Sequence, residues 1–217
     1  MSFEELDLIH KAEVPKHLID AKKAILFGCE VGGRFSDSNK LTKENLIESS
    51  NMKYWRFRSQ KTDSDIIIPL TERIQSYIDA YGMPKTDYKK TDDVILNRDI
   101  KKVCEIAGID ELIKARKSKS VIVTDKNNKE KSVRRTISDY YPKYEVITTH
   151  SFRRSFCTNY YNILSLYQIR QVSGHASDAQ LMEYINQGKD KNDIVESMIE
   201  KMNNNTSSIQ NNKMKVV

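Results

Sequence analysis

Glycine and proline are scarce, at seven and four among 217 residues, so the chain is neither a flexible low-complexity linker nor a fibrous repeat. Cysteine is scarce too. Cys29, Cys104 and Cys157 are odd in number and far apart, with no C-x-x-C or Cys/His spacing, which argues against a disulfide framework and a structural zinc. Each falls in an apolar helical context, where cysteine acts as a small buried hydrophobe, and a reducing, cytoplasmic setting is expected. No apolar run approaches the roughly 18 residues of a membrane span. The opening MSFEELDLIHKAE carries acids and lacks an apolar signal core, which speaks against secretion.

What the chain does have is positive charge in one place. The net charge is +6, yet residues 114–135 alone hold nine Lys/Arg against Asp125 and Glu130, a net of +7. A basic stretch on a near-neutral body suits a polyanionic partner, with a solvated lysine-rich loop as the plainer alternative.

Apolar residues at three- and four-residue spacing predict a helix from about Pro15 to Val31, stopped by Gly32-Gly33. Ser36-Asp37 offers a cap for a short helix through Leu41. MKYWRFR (52–58) alternates and IIIPL (66–70) returns, giving a hairpin with Lys61 at its bend and Trp55 and Phe57 as sheet core. Helices follow at about 74–81 and 93–107, and residues 120–137 form a second hairpin candidate with a polar, basic turn. Further helices run from Thr149 to about Asn162, from Leu166 to Ser173, and from a Ser177 cap through Tyr184. The tail from Asn203 is polar and expected to be mobile. The whole reads as an α+β fold, mainly α, with a small antiparallel sheet.

The chemistry lies in THSFRRSF (149–156) and SGHASDAQLMEYIN (173–186). His150 and Arg153, three apart on a helix, share a face. Arg34, Lys61, His150, Arg153 and His175 are all donors suited to phosphate oxygens; Arg grips two at once and Lys acts as a mobile point charge. Tyr184 is the nearest candidate nucleophile. Taken singly, each has an ordinary explanation as a surface, capping or core residue. Their order and spacing carry the weight.

GGRFSD, QKT before IIIPL, THSFRRSF, and SGH with Tyr184 nine residues past the histidine resemble the catalytic domain of tyrosine recombinases, or phage-type integrases. THSFRRSFCTNYY is especially similar to integrases of Bacteroides-group mobile elements. The resemblance runs from about Pro15 to Gln187 and implies the helical DNA breaking–rejoining fold. It implies that Arg34 and Arg153 clamp a scissile phosphodiester, with His175 donating to it and Asp37 supporting the clamp. Tyr184 would attack phosphorus and become linked to the 3′ end. Lys61 would protonate the departing 5′ oxygen, and His150 would assist proton movement. No metal, nucleotide or other cofactor is implied. The chain departs from the family at Gly33 and Ser38, where bulkier apolar residues are common.

Residues 1–14 are expected to be a lead-in from a missing DNA-grasping domain, 15–202 the catalytic domain and 203–217 the tail. The implied partner is double-stranded DNA, bound by a monomer that assembles as a tetramer on two duplexes, with no membrane involved. Lys126, Lys129, Lys131, Arg134 and Arg135 on the second hairpin, with Arg154, are expected to touch the DNA backbone, setting affinity and not sequence choice. The alternatives are a DNA-binding protein without catalysis and a topoisomerase that nicks and swivels one strand.

Overall fold

The computed structural model describes residues 1–49, 52–58, 65–89, 91–124 and 130–186, with Val195 and Ile199. Lys61, Lys126, Lys129 and the 203–217 tail lie outside the described residues. Contacts divide the chain into one unit of Met1–Leu181 and another of Met182–Val217.

Helix α2 (Ile19–Val31) is the centre of the first unit. Its sequence, IDAKKAILFGCEV, puts ten of 13 residues out of solvent, the mark of a helix enclosed on all sides. Around it stand α1 (Phe3–Lys11), α4 (Glu72–Tyr81), α5 (Asp93–Ile106) and α6 (Thr149–Tyr160). The two charges inside α2 are matched. Lys22 Nζ donates to the His10 and Ala12 carbonyls at 2.9 and 2.8 Å, where the last turn of α1 leaves acceptors unpaired. Glu30, its pKa raised by burial, accepts from Tyr160 Oη at 2.6 Å and lies 3.4 Å from Arg73 Nε. Tyr160 ends α6, so this bond pins that end of α6 to α2.

Glycines set how closely the two helices approach. A Cβ on Gly28 would stand 2.5 Å from the Phe152 ring, and one on Gly32 would overlap Phe156. Gly28 and Gly32 are one turn apart, as are Phe152 and Phe156, so each ring occupies a gap left by a missing side chain. Gly32 also ends α2 in the left-handed region at φ 65°. Gly28→Ala is expected to cost about 1–3 kcal/mol through overlap alone. Gly32→Ala adds backbone strain and is expected to cost more, about 2–4 kcal/mol; urea denaturation of both variants checks the order.

Strands β1 (Leu46–Ser49), β2 (Met52–Arg58) and β3 (Asp65–Pro69) form an antiparallel sheet in that order, with Trp55 opposite both Leu46 and Ile68. Trp55 and Ile68 are buried on the inner face, while Ile67, of opposite parity, is 48% exposed. Helix α7 (Leu166–Ser173) packs on β3, and α8 (Asp178–Asn186) follows, started by Ser177 Oγ accepting from Gln180 N at 3.2 Å.

Four features differ from the sequence reading. Residues 1–14, expected as a lead-in, hold α1, which has a Ser2/Glu5 capping box and buries Leu6 and Ile9. Strand β1 was not expected, because LIES carries too little alternation to show. The short helix, α3 (Phe35–Ser38), starts at Arg34 with no side-chain cap rather than at Ser36-Asp37. The second hairpin is longer than 120–137: β4 (Leu112–Thr124) pairs with β5 (Glu130–Pro142) throughout, from Leu112↔Pro142 to Thr124↔Glu130. Its first half was masked by charge, yet two of those charges meet an aromatic ring, with Lys117 and Lys119 Nζ 5.4 and 4.7 Å from the Tyr141 ring centroid.

Candidate active site

Arg34 follows the left-handed turn at Gly32 and caps α3 in extended conformation. Its Nη1 lies 3.9 Å from the buried Asp37 carboxylate. Ser38, unusual here for a serine, is buried because its hydroxyl donates back to the Arg34 and Phe35 carbonyls at 3.3 and 3.1 Å. That satisfies the hydroxyl and ties the turn to the arginine's own backbone.

Helix α6 is fixed at both ends and along its length. Thr148 and Ser151 form a capping box, and Asn97 of α5 accepts from Thr149 N at 3.0 Å. With Phe152 and Phe156 seated over the glycines, the helix cannot rotate without displacing a ring. Arg153 is consequently buried, while Arg154 is exposed and His150 is only partly covered.

His175 is brought in by a different device. Gly174 ends α7 at φ 67°, and the chain folds back so that the imidazole is buried with Nδ1 2.8 Å from Ser173 Oγ. Arg170 holds the backbone beyond: Nε donates to the His175 carbonyl at 3.2 Å, Nη2 to that of Ala176 at 2.7 Å, and Nη1 pairs with Asp178 at 3.0 Å.

The four side chains of this unit influence one another. Burial first, then Arg153, Arg34 and Arg170, push the pKa of His175 down to about 4. Partial burial, then Arg154, Arg153 and Arg34, lower that of His150. Arg34 and Arg153, 119 residues apart in sequence, thus act on the same two imidazoles. Both rings are neutral at neutral pH, within a field of fixed guanidinium charge. Such a field favours any ligand whose negative charge grows along a reaction.

The sign of the pH effect follows. His175 titrates at 6.5 ordinarily and at about 4 here, so between those values only the unfolded chain takes up the proton. The stabilisation is complete above pH 6.5 and lost as pH falls through about 4. His175→Gln is expected to unfold with a shallower loss of stability over that window than the parent, measured by denaturant titration at several pH values.

The remaining sequence-derived residues are distributed as follows. Lys61 falls in the 59–64 link, outside the described residues; the link leaves from paired Arg58 and Asp65. Arg58 shares with Asp37, Lys40, Leu41, Asn45 and Phe57 the lining of a pocket of about 260 Å³. Tyr184 is half-buried on α8, in the second unit. On the hairpin, strand parity separates the expected DNA contacts: Arg134 faces one way, with Lys114 and Arg116, and Lys131 and Arg135 face the other. The sequence reading passed over Ser173 and Arg170. Their only signals were a hydroxyl before Gly174-His175 and a cation five residues before that histidine.

The phage integrase family model matches residues 1–191. Among solved structures, XerH site-specific recombinase, bound to a palindromic difH substrate in a post-cleavage complex, superposes with a TM-score of 0.56 at 15% identity, over 92% of this chain and 53% of that one. XerA recombinase gives 0.55 at 18% identity, over 93% of this chain and 62% of that one. The chain therefore spans just over half the length of XerH and about three-fifths of XerA. No curated protein matches the sequence. At such identities the superpositions establish a shared fold, mainly helical with small antiparallel sheets. With nearly the whole described chain inside the family model, one conclusion follows: the chain belongs to the phage integrase family.

Proposed function

We propose that the chain is the catalytic domain of a site-specific recombinase that cuts and rejoins DNA by transesterification. The observation that supports this is that Arg34, paired with Asp37 at the start of α3, and the buried Arg153 stand on helices packed against one another, α3 and α6. Two guanidinium forks and an imidazole are groups that suit the non-bridging oxygens of a phosphodiester. Tyr184 Oη attacks phosphorus, forming a 3′-phosphotyrosyl bond as the P–O5′ bond breaks. His150 takes the phenol proton and Lys61 gives one to the leaving 5′ oxygen. Tyrosine ionises near pH 10, so its phenolate costs about 4 kcal/mol at neutral pH. A neutral His150 and the cationic field offset much of that. A 5′-hydroxyl reverses the step, so bond energy is conserved and no external energy source is required. Asp37 supports Arg34 from behind.

Double-stranded DNA is the partner in this reading, with Arg154 at the exposed rim as a backbone contact. Four protomers act on two duplexes and separate when DNA is absent. The protein works in the cytoplasm; among the described residues no helix is long and apolar enough to cross a membrane. THSFRRSFCTNYY favours an origin among Bacteroides-group mobile elements.

The hairpin's two faces differ in what they offer DNA. Lys114, Arg116 and Arg134 share theirs with Ser118, Ser120, Ser132 and Thr136, and its one acid is Glu130. The opposite face carries four cations, Lys117, Lys119, Lys131 and Arg135, with one acid, Asp139, beside Val121, Val123, Val133 and Ile137. We assign the DNA side to the hydroxyl-rich face, whose serines and threonine add neutral donors to its three cations. Neutralising Lys114, Arg116 and Arg134 together is expected to flatten the logarithmic salt dependence of DNA binding by about 2–3. Neutralising Lys119, Lys131 and Arg135 is expected to change it by less than 1, roughly.

The direct test is incubation with a nicked duplex carrying the cognate site, at low salt, followed by denaturing electrophoresis. A covalent protein–DNA adduct supports the reading. No adduct on any DNA would leave a binding protein, and relaxed plasmid without exchanged product would indicate a topoisomerase.

A further inference from the structure

Arg170, in the last turn of α7, reaches three acceptors that belong to the next structural element and the turn before it. Nε donates to the His175 carbonyl at 3.2 Å, Nη2 to the Ala176 carbonyl at 2.7 Å and Nη1 to Asp178 Oδ1 at 3.0 Å. Its own carbonyl accepts from Gly174 N at 2.7 Å, so backbone and side chain hold the turn together. From the other side, Gln180 Oε1 of α8 accepts from Ala176 N at 3.0 Å. The turn is thereby tied to both helices that flank it, and Asp178, in the first turn of α8, is tied back to α7. The mechanism proposed above gives Arg170 no part. Yet His175 lies within the turn that it holds, and Tyr184 lies on α8, which Asp178 opens.

We propose that Arg170 is a positioning residue for strand cleavage: by joining the carbonyls of His175 and Ala176 to Asp178, it makes one piece of the turn that carries the phosphate donor and the start of the helix that carries the nucleophile. The inference rests on the reading of His175 as phosphate ligand and Tyr184 as nucleophile. The residue type matters. A guanidinium group spreads its N–H donors over three nitrogens in a rigid plane, and here each nitrogen serves a different acceptor. A lysine ammonium donates from one point and cannot span all three. The contacts are only partly sheltered, with the Arg170 side chain 31% exposed and that of Asp178 56%. Water can take over the two carbonyls once the guanidinium is gone, so its loss falls on the order of the turn more than on the stability of the fold.

The clamp itself is read from ¹H–¹⁵N spectra of the native full chain, without DNA, as slow solvent exchange of the Arg170 Nε–H. Its function is read from single-turnover adduct formation on a nicked duplex at saturating DNA. Arg170→Ala is expected to slow that step by roughly 10- to 100-fold, the scale of a small misplacement at the reacting atoms, with DNA affinity within about twofold. Arg170→Lys should stay within about threefold of Arg170→Ala, because the charge returns without the fork. Asp178→Asn, at an exposed side chain, should slow the step by roughly 3- to 10-fold, and adding it to Arg170→Ala should cost little more than Arg170→Ala alone. An Arg170 Nε–H that exchanges as fast as an exposed arginine would overturn the proposal, and that measurement needs no variant to fold. Full recovery in Arg170→Lys would overturn it too, leaving only the charge that Arg170 places near His175. So would an unaltered rate in Arg170→Ala, or losses in the double variant that simply multiply. A protected Arg170 in a native chain that forms no adduct on any DNA would uphold the clamp and overturn the reading of the site that it serves.

Discussion

Tyr184→Phe is expected to bring covalent adduct formation on a nicked duplex below detection, a loss of roughly a thousandfold or more, while DNA affinity stays within about twofold. The change removes one oxygen and little volume, so the half-buried ring on α8 keeps its packing. What disappears is the oxygen that the proposed mechanism links to phosphorus. A residual adduct in the variant would mean that another residue is the nucleophile. A matching loss of DNA binding would mean that the phenol oxygen serves to hold DNA. Gel retardation and denaturing electrophoresis on the same samples separate the two.

Arg153→Ala is expected to slow adduct formation by roughly a hundred- to a thousandfold, the usual cost of removing one donor aimed at developing charge. Arg153→Lys should recover little of it. Lysine keeps the charge but replaces a planar fork with a single point, so one of two oxygens loses its partner. Arg153 is buried, and a denaturation curve for each variant distinguishes a lost contact from a lost fold. Arg34→Ala, at a side chain 32% exposed, is expected to cost a similar factor with less effect on stability. If both arginines hold the same phosphate, the double variant should lose clearly less than the product of the single losses.

The long helices were legible because their apolar residues recur at helical spacing and their ends carry glycine. The environment of α2 was not. Lys22 and Glu30 suggest a wet face, and only the folded chain brings the α1 carbonyls, Arg73 and Tyr160 to meet them. Helix α1 was passed over because a lead-in and a short amphipathic helix look alike until Leu6 and Ile9 find a surface to cover. The first half of the long hairpin was hidden by its lysines, two of which hold their ammonium groups over the Tyr141 ring.

For the site, the order of the residues in the sequence was informative and their manner of support was not. Nothing about GGR or FRRSF states that Gly28 and Gly32 exist to admit Phe152 and Phe156, which set the rotation of Arg153. The burial of His175 depends on a left-handed turn at Gly174, and its Nδ1 lies 2.8 Å from the hydroxyl of a serine two residues earlier. By contrast, the division of Lys131, Arg134 and Arg135 between two faces follows from strand parity alone, and was readable once a strand was assumed.

The most direct test is a tungstate soak of the crystallised chain, with anomalous diffraction to locate the oxyanion. One peak within hydrogen-bond reach of the Arg34 and Arg153 guanidinium groups and of His175 Nε2 is the expected result. Tungstate bound only elsewhere, with the two guanidinium groups turned to separate surfaces, would contradict a common phosphate site.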